Sequence, residues 1–163
     1  MDVGRDRDDT GRDRDADGRA RQARPRDRLG RPLPYGSVGV EPVSEDPLPP
    51  RETIERAREL LAEGRPFSAH EVFEARWKDA PTGERDLWQG LAQLCVGSTH
   101  RERGNVTGAR TLWRRALGRL TAYAVGGEPT YGLDLDALTG WLTARLDELD
   151  RVSSPTAPPL PPV

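Results

Sequence analysis

The stretch FSAHEVFEARWKDAP, Phe67 to Pro81, sets a histidine and two glutamates among Phe73 and Trp77. An α-helix turns about 100° per residue, so His70, Glu74 and Trp77 fall within about 60° of one another, with Phe73 adjoining. A histidine beside a carboxylate can act as acid and base, or can ligate a divalent metal. His70 and Glu74 are therefore the candidate catalytic pair, and His70, Glu74 and His100 are the candidate metal ligands. The metal pattern is thin. The chain has two histidines, HEVFE lacks the second histidine of a zinc-protease HExxH, and no Glu-x-x-His pair of the di-iron bundles occurs. Glu71 points about 60° from Glu74 and could complete a carboxylate pair, but with Ser68 it also makes a helix capping-box pattern. Ser68 has no nucleophile-elbow context, and no phosphate-binding glycine loop is present. The single cysteine, Cys95, cannot form an intramolecular disulfide. It sits in an apolar helical stripe, where an inert buried thiol is expected.

Five helices must position these groups. The first is expected over about 51–63, between Pro49-Pro50 and Gly64, with Ile54, Ala57, Leu60 and Leu61 as its stripe. The second follows Ser68 and ends near Lys78. The third runs from Gly83 or Glu84 to Arg103. From Leu87 to Thr99 it carries no charge, as expected of a central helix buried on most sides. Gly90 and Gly97 on it would let a neighbour approach closely. Gly104-Asn105 reads as a stop followed by an N-cap. The fourth helix runs to about Val125, and the fifth starts after Asp134 with Leu135, Leu138, Leu142, Leu146 and Leu149. No segment alternates as a strand does. The fold class is all-α, a single five-helix bundle around a largely uncharged third helix.

A short link, DAPTG, makes the second and third helices antiparallel neighbours. Folding them about Pro81 brings His70 level with Ala92 or Gln93, and Glu74 level with Trp88 or Gln89. The expected constellation is a partly buried network of His70, Glu74, Gln89 and Gln93, bordered by Glu71, Trp77 and His100. His100 lies roughly 11 Å further along the axis, so sharing one ion with His70 would need skewed packing. The arginines 101, 103, 110, 114, 115 and 119 read as a solvated helix face, and the four tryptophans as core.

Both ends differ in composition. Residues 1–31 hold ten Arg and eight Asp with almost nothing apolar, too little to offset chain entropy. Residues 1–49 are thus expected as a disordered leader and Pro/Gly linker, 50–152 as the bundle, and 153–163 as a disordered Pro-rich tail. A net charge of −2 gives no pull toward nucleic acid or membrane, and the interleaved Asp would repel phosphates. No apolar run reaches membrane-span length and no secretory signal core is visible, so a cytoplasmic protein is expected.

The blocks FSAHEVFEARW, DLWQGLAQLCVGSTHRERGN and GARTLWRRALGRL, in this order, resemble the domain-of-unknown-function family numbered 309, small helical proteins of bacteria and archaea. The resemblance covers about 52–120. The family's characteristic positions fall on Phe67, His70, Glu71, Glu74, Trp77, Gln89, Gly90, Gln93, His100, Gly104, Asn105, Gly108 and Ala109. The resemblance implies an α-helical bundle without an established activity, and a label of metal-dependent hydrolase goes with it. Cys95 and the Arg/Asp leader depart from the family pattern.

Two functions follow. One is a binding or interaction scaffold, with a protein partner or a second copy as ligand. It draws on an internal echo: Gly64, Ala69 and Phe73 recur as Gly104, Ala109 and Trp113, forty residues on, in the style of helix-pair repeats although not at the roughly 34-residue tetratricopeptide period. The alternative is a metal-dependent hydrolase-like or small-ligand site on His70 and Glu74, with a divalent metal as cofactor.

Overall fold

A computed structural model describes residues 24–151 and 160–163. The expectations for 1–23 and 152–159 fall outside the described residues. Among the described residues five α-helices follow one another: α1 Pro50–Ala62, α2 Pro66–Asp79, α3 Arg85–Glu102, α4 Val106–Val125 and α5 Leu135–Arg151. A single 3₁₀ turn, Thr82–Glu84, leads into α3. Among the described residues the only strand-like pairing is one isolated bridge between Arg26 and Pro32, so the all-α class stands.

The helix ends follow local chemistry. Pro50 opens α1 and Pro66 opens α2, because a proline at the first helical position has its φ preset and no N–H to leave unpaired. Pro66 starts α2 earlier than the Ser68 capping box would. Ser68 lies within the first turn and its hydroxyl accepts from Arg65 Nη2 at 3.1 Å, leaving Glu71 too far along to reach the cap. Asn105 caps α4 as expected, its Oδ1 accepting from Gly108 N at 2.9 Å, and Asp134 does the same for α5 through Ala137 N at 2.9 Å.

The uncharged α3 packs against α2 on one side and most extensively against α4 on the other, while α1 lies on α2 and α5 on α4. Order in space thus follows order in the chain. Gly90 and Gly97 face α4: a Cβ on Gly97 would stand 2.4 Å from Trp113 Cδ1, and one on Gly90 would stand 3.0 Å from Leu120. These glycines admit α4 against α3. Leu87, Trp88, Leu91, Leu94 and Cys95 are buried on α3, and Ala109, Trp113, Ala116 and Leu120 are buried on α4. Burial pushes the Cys95 thiol far up from its ordinary value, as expected of an inert thiol.

The sequence echo is structural. Gly64 after α1 and Gly104 after α3 both adopt left-handed backbone, φ +71° and +82°. In each case the next residue's N–H reaches back five residues: Arg65 to the Leu60 carbonyl at 2.9 Å, and Asn105 to the His100 carbonyl at 2.8 Å. Ala69 and Ala109, Phe73 and Trp113 are all fully buried. The α1–α2 and α3–α4 connections thus share one turn geometry and the same pair of buried positions, although the helices they join are 13 and 14 residues long in one case and 18 and 20 in the other.

Within residues 24–49, expected as part of a disordered linker, the stretch around Arg28 to Gly30 and the residues Glu41, Val43 and Leu48 touch the helices, whereas Tyr35 and Val38 are exposed. Leu29 is 6% exposed and the segment bonds to both hairpin turns. Its apolar content is small, so composition alone hides the contact; arginine-to-carbonyl bonds supply part of it. At the other end Leu160 and Val163 pack on the core, and Arg58 Nε donates to the Val163 carbonyl at 2.6 Å. No helix among the described residues is long and apolar enough to cross a membrane.

Candidate functional site

His70 stands on α2 with its side chain 16% exposed. Its Nδ1 lies 2.5 Å from the Phe67 carbonyl. A carbonyl only accepts, so Nδ1 donates to it, and Nε2 can also donate to Glu74 only when the ring carries a proton on both nitrogens. Nε2 faces Glu74 Oε2 at 3.4 Å, and the imidazole packs on the Phe67 ring with centroids 4.7 Å apart. Glu74 also meets Lys78 Nζ at 3.2 Å. The expected His70–Glu74 pair is therefore formed.

The wider network is not. Gln89 and Gln93 lie half-buried on α3, which does pack on α2, but no hydrogen bond links either one to His70 or Glu74. Gln93 Oε1 is buried without a partner. The physical reason is local. A bond to the carbonyl three residues back on the same helix needs no second element to be placed, so it forms in preference to one across the interface. His100 is engaged elsewhere, at the α3–α4 turn. Asn105 Nδ2 donates to its Nδ1 at 3.1 Å, while burial and the nearby Arg103 charge lower its pKa. Trp77 is half-buried on α2 under the Arg85 guanidinium, 5.3 Å from the ring centroid. Among the described residues no three of His, Cys, Asp and Glu are grouped to hold a metal ion, so His70, Glu74 and His100 are not assembled as one ligand set.

The two glutamates of α2 are tuned in opposite directions. The hydrogen bond from His70, with Lys78 adding, holds the Glu74 carboxyl down at about 2 against an ordinary 4.5, although burial works the other way. Burial raises Glu71, only partly offset by His70, Arg26 and Arg65, with Glu74 adding to the rise. A depressed carboxyl stabilises the fold above its unfolded value and loses that contribution as pH falls from 4.5 toward about 2. A raised one destabilises at neutral pH and ceases to do so on acidification. Because the Glu74 side chain is 39% exposed, solvent screens the pair. Glu74→Gln is thus expected to cost no more than about 1 kcal/mol at neutral pH, with the deficit vanishing near pH 2. Glu71→Gln is expected to stabilise at neutral pH. Urea unfolding of the three proteins across that range checks both signs.

Sequence reading missed the groups packed around Phe67. Arg26 and Arg103 place their guanidinium carbons 5.5 and 6.0 Å from its ring centroid, and Gly30 lies on the ring itself. Arg65 is 9% exposed. Arg101, read as part of a solvated face, is 7% exposed. The only sequence signal for the Phe67 cluster is the Leu29-Gly30 pair interrupting the Arg/Asp run.

Fold and site together define an all-α helical bundle with a histidine–glutamate pair on the second helix. The resemblance read from the sequence is borne out: residues 54–112 match the model of a family described as domain of unknown function, DUF309. The chain is also 32% identical over 89 residues to an uncharacterized protein, YpuF, of Bacillus subtilis strain 168, covering 54% of this chain and 51% of that one. It thus spans about half the length of this curated relative. No solved structure matches the chain significantly.

Proposed function

We propose that this protein is a non-catalytic interaction scaffold, with residues 50–152 as its folded unit. The observation that carries this is the recurrence of one turn, with the same buried alanine and aromatic after it, between α1 and α2 and between α3 and α4. Stacked helical hairpins bury a continuous core between neighbours, leave their turns lined up along one edge, and serve as platforms for other chains. In this arrangement α5 takes the place of a capping helix. The His70–Glu74 pair is structural: it ties successive turns of α2 and seats the imidazole on Phe67. The hydrolase-like reading needs more donors than this pair supplies. His70 Nε2 and Glu74 Oε2 could both face an ion, but among the described residues no third ligand is grouped with them, so those residues do not fit a resident metal.

The test compares His70→Ala and Glu74→Gln with the wild type in thermal unfolding and in metal analysis of purified protein. On the scaffold reading both variants unfold earlier, His70→Ala by about 1–2 kcal/mol, and none of the three proteins carries stoichiometric metal. Metal bound one-to-one in the wild type and lost from both still-folded variants would overturn it.

A further inference from the structure

The two hairpin turns, 63–65 and 102–105, lie at the same end of the molecule, and the chain's own residues 26–41 cross them. Arg28 Nη1 donates to the Gly64 carbonyl at 3.1 Å and to Glu102 Oε2 at 2.6 Å, so one guanidinium joins both turns. Arg103 Nη2 donates to the Leu29 carbonyl, and Arg65 Nη2 donates to the Glu41 carbonyl at 2.6 Å. Between these, Gly30 lies flat on Phe67: a Cβ there would stand 2.2 Å from Phe67 Cγ, and its φ is +73°. Only glycine satisfies both conditions.

The segment is also folded within itself. Asp27 Oδ1 accepts from Leu29 N and Arg31 N, both at 2.9 Å. Leu33 N reaches the Pro25 carbonyl at 2.8 Å, and Val40 N reaches the Arg26 carbonyl at 2.8 Å. It is a preformed loop with Leu29-Gly30 at the tip. Its hold on the helices is one buried leucine, one ring contact and a few arginine bonds, three of them to backbone carbonyls. It lies outside the family match at 54–112, whereas Phe67, against which its tip rests, lies inside it.

We propose that the edge formed by the two hairpin turns and Phe67 is a docking site for a loop of the Arg-Asp-Arg-Leu-Gly type, and that residues 26–41 are its displaceable occupant in cis. This rests on the scaffold reading and gives the chemistry of its ligand: a preorganised basic loop with a small apolar tip, presented by a second chain. Preorganisation makes the loop transferable, because little entropy is lost when it binds as a separate peptide. The tip provides specificity. Arg-Asp-Arg also occurs at 5–7 and 12–14, but there it is followed by Asp-Asp and Asp-Ala rather than Leu-Gly.

The experiment uses the full chain carrying Gly30→Val, which strains the backbone and drives a side chain into Phe67. Hydrogen exchange monitors release of 26–41, and circular dichroism monitors the helices. A labelled peptide of residues 24–41 is then titrated into wild type, Gly30→Val, and Gly30→Val with Phe67→Ala. Saturable binding to Gly30→Val is expected, at least about tenfold weaker to the wild type because its own loop occupies the site. Binding is expected to be lost when Phe67 is removed, and a peptide carrying Gly30→Val should not bind. No release of the segment, no saturable binding to a folded Gly30→Val, or equal binding to wild type and variant each overturns the proposal. In every such case the metal and stability results for His70 and Glu74 still decide the scaffold reading separately.

Discussion

Trp88→Ala is expected to destabilise the protein by about 3–5 kcal/mol, the range for emptying a large, fully enclosed aromatic site. The indole is 0% exposed. It stacks on Tyr131 with centroids 5.8 Å apart and sits 6.4 Å from the Phe73 ring. Its Nε1 donates to Glu84 Oε2 at 3.1 Å, and the other oxygen of that carboxylate accepts from the Tyr131 hydroxyl. One carboxylate thus ties the start of α3 to the loop before α5, where Tyr131 holds a left-handed φ of 53°. Removing the indole opens a cavity and takes one donor from Glu84 at the same time. Equilibrium urea unfolding should show a lower midpoint with little change in slope. Trp77→Ala is the control. Its ring is only half-buried and borders solvent, and about 1 kcal/mol is expected. Equal losses at both positions would contradict the packing described for α3.

Gly97→Ala is expected to destabilise by about 2 kcal/mol net, against helix propensity, which alone favours alanine by about 1 kcal/mol. The added methyl would meet Trp113 Cδ1 at 2.4 Å and Nε1 at 2.6 Å. Trp113 has nowhere to go. It is 0% exposed, its Nε1 donates to the Leu94 carbonyl at 3.2 Å, and its ring stands edge-on to Trp141 at 5.4 Å. The double substitution Gly97→Ala with Trp113→Leu should lose less than the two singles summed, since the smaller side chain makes room for the methyl. Gly118→Ala separates sterics from propensity: nothing lies within 4 Å of a Cβ there, so it is expected to stabilise by about 0.5–1 kcal/mol. Thermal unfolding of the wild type and the four variants, Gly97→Ala, Trp113→Leu, their combination and Gly118→Ala, measures all of this. A stabilised Gly97→Ala would mean that α4 does not approach α3 as closely as described.

The legible part of this chain was the part whose physics is periodic or local. Thirteen uncharged residues from Leu87 to Thr99 can only be a helix with neighbours on most sides, and α3 lies between α2 and α4. Gly104-Asn105 and Asp134 marked their helix ends because a left-handed residue and a side-chain cap involve only the residues beside them. The His70–Glu74 pair was readable for the same reason, since four residues along a helix make neighbours whatever the rest of the chain does. Ser68 was misread as a cap where Pro66 already supplied a start. The network with Gln89 and Gln93 failed because helix adjacency does not fix the depth and rotation that a 3 Å bond requires, and His70 had a nearer acceptor. His100 was placed on the right helix, but its partner across the turn, Asn105, already held a role as a cap.

By itself, then, the sequence determined five helices, their order, the buried faces, the echo of Gly64, Ala69 and Phe73 in Gly104, Ala109 and Trp113, and one histidine–glutamate pair, because each depends on spacings of a few residues or on the period of a helix. Tertiary structure alone decided that residues 26–41 bridge the two hairpin turns, that Arg26 and Arg103 flank Phe67, and that Gln93 Oε1 is left without a partner. Those facts rest on contacts between residues up to 74 apart in sequence, as for Leu29 with Arg103. Arginine-to-carbonyl bonds leave no pattern in composition or periodicity, because any residue supplies the carbonyl and only the folded chain brings it within reach.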